Sequence, residues 1–339
     1  MNRKNFLAAA SLFVFPEMGR SKNLPAADDN PVIPEYLEKG DVIGIVATGG
    51  YILPEEIQPA VQVMEGWGYK IKTGNTIGKR EFTFAGSDAE RTKDFQQMLD
   101  DPKVKAIMCA RGGYGAVRII DKLNWEKFKK HPKWIIGFSD ATVFHSHINR
   151  NLGVASIHSK MTNSFPADWS RAEPVQAETI HSIRKALSGE KMKYEVLPNA
   201  KNKIGTAEGV LVGGNLKTLE SLAGSRSDIR TAGKILFVED TGEYLYSIDR
   251  MFWNLKRSGK LDQLKGLIIG GFKIKLSEDQ NEEFGKNLYE IVLEKVEEYS
   301  YPVCFDFPVG HQVNNYALKC GVTYRLSVKK ESSTLAEIR

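Results

Sequence analysis

The chain has 339 residues, of which 42% are hydrophobic, 10% aromatic and 26% charged, and this composition excludes a disordered, collagen-like or coiled-coil protein. At about 150 residues per domain, the length favours two domains that each bury a core. The net charge is +5, but three of these charges lie in residues 1–22 and the remaining Lys and Arg are dispersed among acidic residues, so a nucleic-acid partner is not expected.

Residues 1–25 are predicted to form an export signal. Arg3 and Lys4 precede an apolar run from Phe6 to Phe15, and small or polar residues follow it. A run of about ten residues makes a helix about 15 Å long, half the thickness of a bilayer core, and no later stretch is long enough, so no stable membrane span is expected. We therefore expect export to the periplasm; the alternative is a cytoplasmic protein with an N-terminal extension.

Residues 31–190 are predicted to form an α/β domain, because short apolar runs alternate there with helical patterns. The runs are hydrophobic throughout rather than at every second residue, which is typical of parallel strands covered by helices on both faces. The carboxyl ends of such strands meet at one edge of the sheet, where open α/β proteins bind ligands. The apolar runs lie at 42–47, 104–110 and 134–136, and the helical patterns at 54–67, 116–123 and 141–149.

A second domain is predicted at 206–330, after a linker at 191–205 that is rich in Lys and Asn and has no sustained period. Its clearest helix has apolar residues at i, i+3, i+4 and i+7 from Ile248 to Leu255, and ends at Gly259. Strands are expected at 207–212, 234–238, 266–269 and 321–328.

The segment from Trp134 to Ala141 passes from a buried strand through a glycine into a helix, and it places Ser139 at the tight turn. This order is typical of a nucleophile elbow, which exposes the Ser hydroxyl at the carboxyl edge of the sheet. The N–H of Asp140 would then lie at a helix N-terminus and stabilise an oxyanion. The alternative is that Ser139 and Asp140 only cap the helix, since Ala141 replaces the glycine that usually ends an elbow.

A second turn, Arg111–Gly115, is glycine-rich and also follows an apolar strand. One interpretation is a phosphate-binding loop, but Arg118 occupies the third glycine position of a dinucleotide motif and the chain has no Walker sequence. The other interpretation is that the Gly113 N–H is a second oxyanion donor, opposite that of Asp140. Acyl transfer on such a site needs no cofactor, and none is expected.

His311 is the predicted base for a Ser nucleophile, because it stands in an irregular loop between two strand-like runs, where catalytic side chains are commonly presented. His158 ends a strand and either lines the cleft or has a structural role. The other histidines are expected to face solvent or different faces of one helix, and no metal site is expected. These are His131, His145, His147 and His181. The cysteines have no C-x-x-C spacing and are expected to be buried thiols: Cys109, Cys304 and Cys320.

Glu239 is predicted to orient the base, because it stands at the end of the apolar strand at 234–238. A carboxylate that accepts the His N–H fixes the tautomer and stabilises the imidazolium. Asp240 and Glu243 lie further along and are expected to cap the following helix. The chain order of Ser, acid and His is that of α/β-hydrolases, and it places the nucleophile in the first domain and its partners in the second.

Together these segments resemble the LD-carboxypeptidase family of serine peptidases, which includes the microcin-immunity peptidases. The resemblance spans about residues 31–326 and rests on several motifs in order. They are Arg-Gly-Gly-Tyr-Gly at 111–115, Gly-Phe-Ser-Asp at 137–140, Gly-Gly-Asn-Leu at 213–216, Val-Glu-Asp at 238–240, Ile-Asp-Arg-Met at 248–251, Gly-Gly-Phe at 270–272 and Pro-Val-Gly-His at 308–311.

The resemblance implies an open, flavodoxin-like parallel sheet in the first domain, a smaller β-rich α/β second domain, and a triad of Ser139, Glu239 and His311. It also implies hydrolysis of the amide between the L-centre of a diamino acid and a terminal D-Ala in muropeptides, during peptidoglycan recycling, and assembly into a homodimer. Two alternatives stay open: an amidase acting on acyl-aminoacyl nucleotides, and a catalytically silent binder of cell-wall peptides.

One departure concerns the pocket. Relatives commonly have Ile-His-Gly-Pro where this chain has Ile-His-Ser-Lys at 157–160. Lys160 is therefore either a ligand for a peptide carboxylate or a solvated loop lysine, and Ser159 and Lys160 together leave the exact substrate open.

Overall fold

The structure, a computed structural model, describes residues 31–276 and 283–338. The predicted export signal at 1–25 lies outside the described residues. Among the helices that are described, none has the length and apolar character needed to cross a bilayer.

The first sheet has six strands in the order β11-β5-β4-β3-β1-β2, and its five strands from the first half of the chain are parallel. The order 2-1-3-4-5 is that of flavodoxin-like sheets, so the predicted fold of this half is confirmed. Helices pack against its central strands, which are largely hydrophobic, whereas the edge strand Lys70–Thr73 is mostly exposed. The strands are β1 (Val42–Val46), β2 (Lys70–Thr73), β3 (Val104–Cys109), β4 (Trp134–Gly137), β5 (Ser156–His158) and β11 (Leu318–Cys320).

The helices of this half begin and end at residues with the expected capping chemistry. Ser87 caps α2 and exchanges hydrogen bonds with Glu90 in a capping box, and Gly153 ends α5 in the left-handed conformation. The helices are α1 (Pro54–Gly66), α2 (Asp88–Asp100), α3 (Ala116–Ile119), α4 (Glu126–Lys130), α5 (Thr142–Leu152) and α6 (Pro174–Leu187).

The second sheet has seven strands in the order β10-β9-β8-β7-β12-β13-β6. Strands β7 to β10 are parallel, and β12, β13 and β6 extend the sheet with antiparallel pairs. The strands are β6 (Lys193–Val196), β7 (Gly205–Asn215), β8 (Ile235–Glu243), β9 (Gly266–Ile274), β10 (Val303–Cys304), β12 (Thr323–Val328) and β13 (Ser333–Glu337), and the helices are α7 (Leu216–Ser221), α8 (Leu245–Arg257) and α9 (Leu288–Val296). A mixed α/β second unit was expected, and this too is confirmed.

Two short strands differ from the organisation expected from the sequence. The segment 191–205, predicted as a linker, contains β6, in which Tyr194 and Val196 are buried while Lys193 and Glu195 are exposed. Four residues are too few for this alternation to stand out in the sequence. Strand β11 comes from the second half of the chain but pairs with β5 and closes an edge of the first sheet. One apolar core cluster therefore contains residues from both sheets.

All three cysteines are free and buried, as predicted. Burial raises the pKa of Cys109 to about 12, so this thiol stays protonated at neutral pH.

Candidate active site

Ser139 lies at a sharp turn between β4 and α5. Its φ angle is +61°, in the left-handed region that residues with side chains rarely adopt, and Phe138 before it is extended. A Cβ added at Gly137 would come within 2.8 Å of the Ala141 Cβ, so glycine is required at 137 for Ala141 to fit where an elbow usually has glycine. The turn therefore keeps the geometry of a nucleophile elbow although its last residue departs from the usual pattern.

The glycine-rich turn before α3 packs directly against this serine. A Cβ added at Gly112 would lie 3.3 Å from Ser139 Oγ, which leaves room for a small group only. The Asp140 carboxylate accepts the Ala116 N–H at 2.9 Å and so ties the start of α3 to the serine turn. Asp140 is buried, and burial raises its pKa to about 6.

The two predicted oxyanion donors are the main-chain N–H groups of Asp140 and Gly113. The first hydrogen bond of the Ser139–Ala141 turn is donated by Ala141 to the Phe138 carbonyl, so the Asp140 N–H precedes it. The Gly113 N–H has no acceptor among the described residues. Gly113 and Asp140 stay predicted oxyanion donors.

Glu239 and His311 are in contact, as the sequence-based hypothesis requires. One oxygen, Glu239 Oε2, lies 2.6 Å from His311 Nδ1 and accepts the His311 main-chain N–H at 3.2 Å. The Glu239 side chain is fully buried, whereas 20% of the His311 side chain is exposed. An anionic Glu239 accepts the proton on Nδ1, which leaves Nε2 as the basic nitrogen of the ring.

Two glycines make this contact possible. A Cβ at Gly310, where φ is +107°, would lie 2.5 Å from the Glu239 Cβ, and a Cβ at Gly270 would lie 2.5 Å from the Val309 carbonyl oxygen. The pairing of β8 with β9 shifts register beside Glu239, and Gly271 bridges to Gly310 instead. The register shift between β8 and β9 thus leaves space for the loop that carries His311.

Phe138 joins the two halves of the site, because its ring lies 4.9 Å from the His311 ring between centroids and its main chain continues into Ser139. In this structure Ser139 Oγ has no hydrogen-bond partner among the described residues. Apo active sites often have loose nucleophile–base contacts that tighten when substrate binds.

Asp240 has a role different from the one expected. It caps α7 rather than the helix that follows it in the chain, because its Oδ2 accepts the Lys217 N–H at 2.8 Å and its Oδ1 accepts from the Asn215 side chain at 3.0 Å. Burial raises the pKa of Asp240 to about 6. Glu243 does contact the next helix, through the Ser247 hydroxyl at 2.5 Å.

His158 lies beneath the site and is fully buried, with its ring against Phe138 and Phe237. Burial lowers its pKa well below the ordinary value, and neither ring nitrogen has a partner with hydrogen-bond geometry among the described residues. Within the same residues, His, Cys, Asp and Glu side chains form no group of three or more that would hold a metal ion.

A cavity of about 340 Å³ opens beside His311. Lys160, which the sequence singled out, lines it and donates from Nζ to the Gln312 carbonyl at 2.6 Å. Lys273 lines the same cavity. Sequence reasoning missed Lys273, because only the pairing of β8 with β9 brings it near the loop of His311 and no local pattern marks it.

Comparisons with known proteins show the family of the chain. Residues 43–159 match the model of the LD-carboxypeptidase N-terminal domain, and residues 208–326 match that of the LD-carboxypeptidase C-terminal domain. A probable murein peptide carboxypeptidase of Bacillus subtilis (strain 168) is 30% identical over 304 residues, which cover 89% of this chain and 93% of that protein.

Two further comparisons bear on the activity. The crystal structure of a muramoyltetrapeptide carboxypeptidase from Oxalobacter formigenes superimposes with a TM-score of 0.78 at 29% identity, covering 88% of this chain and 99% of that one. The microcin C7 self-immunity protein MccF of Escherichia coli is 25% identical over 337 residues, covering 91% of this chain and 96% of that protein.

Proposed function

The chain belongs to the LD-carboxypeptidase family of serine peptidases, and we propose that it removes the terminal D-Ala from peptidoglycan-derived tetrapeptides by hydrolysing the amide on the L-centre of a diamino acid. Relatives named as murein peptide and muramoyltetrapeptide carboxypeptidases support this substrate class. The observation that carries the proposal is the contact between the buried Glu239 and the partly exposed His311, with 2.6 Å between carboxylate and imidazole, packed through Phe138 beside the Ser139 turn.

In the proposed reaction, His311 Nε2 takes the proton from Ser139 Oγ as that oxygen bonds to the carbonyl carbon. The tetrahedral intermediate collapses when His311 returns this proton to the nitrogen of the departing D-Ala and the carbon–nitrogen bond breaks. A water molecule, deprotonated by the same imidazole, then attacks the acyl-enzyme. The bond from the acyl carbon to Ser139 Oγ breaks, His311 returns the proton to that oxygen, and the shortened peptide leaves. Glu239 stabilises the imidazolium that forms in each half of the reaction.

The negative charge on the carbonyl oxygen would be held by the N–H groups of Gly113 and Asp140. The Asp140 N–H precedes the first hydrogen bond of its turn, and the Gly113 N–H has no acceptor among the described residues. Neither donor therefore has to break a hydrogen bond before it binds the substrate oxygen. Loss of one such donor typically lowers the rate about 10²- to 10³-fold. The proposed reaction uses no cofactor.

Export to the periplasm and assembly into a homodimer are also proposed. Support for export comes from the basic and apolar sequence of residues 3–15. Cell fractionation tests it, since recovery of the full-length protein in the cytoplasm alone would contradict export. Light scattering of the purified protein measures the oligomeric state directly.

The proposed function is tested with Ser139→Ala. This variant should release no D-Ala from a tetrapeptide that ends in diaminopimelic acid and D-Ala, while Ser221→Ala, which changes an exposed serine at the end of α7, should keep full turnover. Mass spectrometry of the products and circular dichroism of both variants complete the measurement. Near-normal turnover by a folded Ser139→Ala protein would refute the assignment.

The similarity to MccF favours one alternative, an amidase acting on acyl-aminoacyl nucleotides. Turnover of such a nucleotide, compared with turnover of the tetrapeptide at equal concentration, separates the two activities. Peptide binding without hydrolysis, and no labelling of Ser139 by a serine-reactive phosphonate, would instead indicate a silent binding protein.

A further inference from the structure

The cavity beside His311 is lined by two lysines and by no carboxylate among the described residues. Lys160 follows β5 in the first sheet, and Lys273 lies on β9 in the second. The Lys160 Nζ lies 5.7 Å from the centre of the Phe138 ring and donates to the carbonyl of Gln312, the residue after His311. The two sheets therefore each contribute one cation to the same small space.

Lys160 is held in an unusual environment for a lysine. Its ammonium has one main-chain acceptor and no ion-pair partner among the described residues, although it is largely buried. Burial, together with the nearby charge of Lys273, lowers its pKa to about 8. An ammonium has three donors, so Lys160 retains two for a ligand while it still bonds Gln312.

The chemistry of the proposed function brings the departing residue next to this cavity. His311 must return its proton to the leaving nitrogen, so that nitrogen has to lie within hydrogen-bond reach of the imidazole. In an amino acid the carboxyl carbon is about 2.5 Å from the nitrogen, given bonds of about 1.5 Å. The carboxylate of a departing D-Ala therefore lies within a few ångströms of His311, close enough to reach the cavity that His311 shares with the two lysines.

We propose that Lys160 and Lys273 bind the terminal carboxylate of the substrate and so restrict the enzyme to peptides with a free C-terminus. The proposal rests on the proposed peptidase activity and adds to it the two residues that determine specificity.

The first experiment compares two substrates, the tetrapeptide ending in D-Ala and the same peptide ending in D-alanine amide. In Lys160→Met, kcat/KM for the free acid should fall about 10- to 100-fold, the effect expected when a charge-assisted hydrogen bond is lost. Turnover of the amide should change by less than about threefold, because its terminus carries no charge. Lys273→Met should act in the same direction with a smaller effect, because Lys273 is exposed.

Two variants serve as controls. Lys160→Arg keeps a cation and should restore part of the preference for the free acid. Lys330→Met removes an exposed lysine from the turn between β12 and β13. This turn lies near Gly205, at the start of β7, whereas Glu239 pairs with the last residue of β7. This variant should leave both substrates unaffected. An unchanged ratio of free acid to amide in Lys160→Met and in the double variant with Lys273→Met would overturn the proposal.

A binding measurement separates this inference from the activity on which it rests. In a Ser139→Ala background, calorimetry should show tighter binding of the free acid than of the amide, and Lys160→Met should reduce the difference. If the unmodified enzyme cleaves neither peptide but this binding preference appears, the proposed reaction is wrong and the carboxylate site stands. Equal binding of acid and amide would contradict the carboxylate site whatever the turnover.

Discussion

Glu239→Gln gives the most direct test of how the buried carboxylate contributes to catalysis. The substitution keeps the shape of the side chain but removes the charge that faces His311 Nδ1 at 2.6 Å. An imidazolium and a carboxylate whose charges are about 4 Å apart attract each other by about 4 kcal/mol at an effective dielectric constant of about 20. Since each 1.36 kcal/mol is tenfold in rate, kcat should fall about 10³-fold.

The effect on stability should be small, which makes the result interpretable. Glu239 is fully buried and its Oε1 has no hydrogen-bond partner among the described residues. Glutamine leaves a similar polar atom unpaired but removes a buried charge, and these two effects oppose each other. We therefore expect the free energy of unfolding to change by less than about 2 kcal/mol.

Asp240→Asn is the matched control, because it changes the adjacent carboxylate. Asp240 holds the start of α7 through the Lys217 N–H and does not contact His311. Its replacement should cost about 1 kcal/mol of stability, as the loss of a capping interaction does, and should leave kcat within about threefold.

The assay is release of D-Ala from the tetrapeptide at saturating substrate, together with urea denaturation of each variant. A Glu239→Gln enzyme whose kcat lies within tenfold of the unmodified enzyme would refute the role given to Glu239. An equal loss of kcat in Asp240→Asn would show that Glu239 and Asp240 both act by stabilising the local structure at the end of β8, and not through the imidazole.

Two further predictions concern the packing around the site. Gly310→Ala should lower kcat at least about 100-fold and lower the free energy of unfolding by more than about 2 kcal/mol, because its Cβ would clash with Glu239. The control is Gly233→Ala, at φ +74° with open space around it, which should cost only about 1–2 kcal/mol of backbone strain and leave kcat unchanged. Equal kcat values in the two variants would contradict the steric argument. His145 is fully buried and burial lowers its pKa to about 4, so as the pH falls from 6.5 to 4 the unfolded chain takes up a proton that the folded one does not. Unfolding free energies at pH 7 and pH 4.5 should therefore show the unmodified protein losing up to about 3 kcal/mol relative to His145→Gln, and a constant difference would show that His145 does not titrate in this way.

The sequence predicted those parts of the fold that are encoded locally. The strand, glycine and helix around Ser139 follow one another along the chain, and the apolar run before Glu239 is continuous. Such signals need only the neighbouring residues, so the positions of both side chains at the carboxyl edges of their sheets could be read from the sequence. Their catalytic roles stay predictions.

Features that depend on pairing between distant segments could not be predicted in the same way. The helix that Asp240 caps starts more than 20 residues earlier in the chain, and it becomes a neighbour only because β7 pairs with β8. Strand β11 is three residues long and joins a sheet formed by the first half of the chain. In the sequence Lys273 has no feature that marks it, and it becomes part of the site only because the loop of His311 packs beside β9.

The two halves of the site are held together by contacts that do not depend on substrate. The Thr142 hydroxyl, one turn after the nucleophile, accepts the Asn215 N–H at 3.0 Å, and a Cβ at Gly214 would lie 2.5 Å from that hydroxyl. The Ser146 hydroxyl donates to the Ser227 carbonyl at 2.5 Å, and β11 pairs with β5 across the same boundary. The helix that follows the serine turn is thus bonded to β7, and the Asn215 end of β7 pairs with Glu239 on β8, so packed contacts link the nucleophile turn to the acid. Changes at this boundary should therefore reduce stability and turnover together, whereas changes at Glu239 should reduce turnover alone.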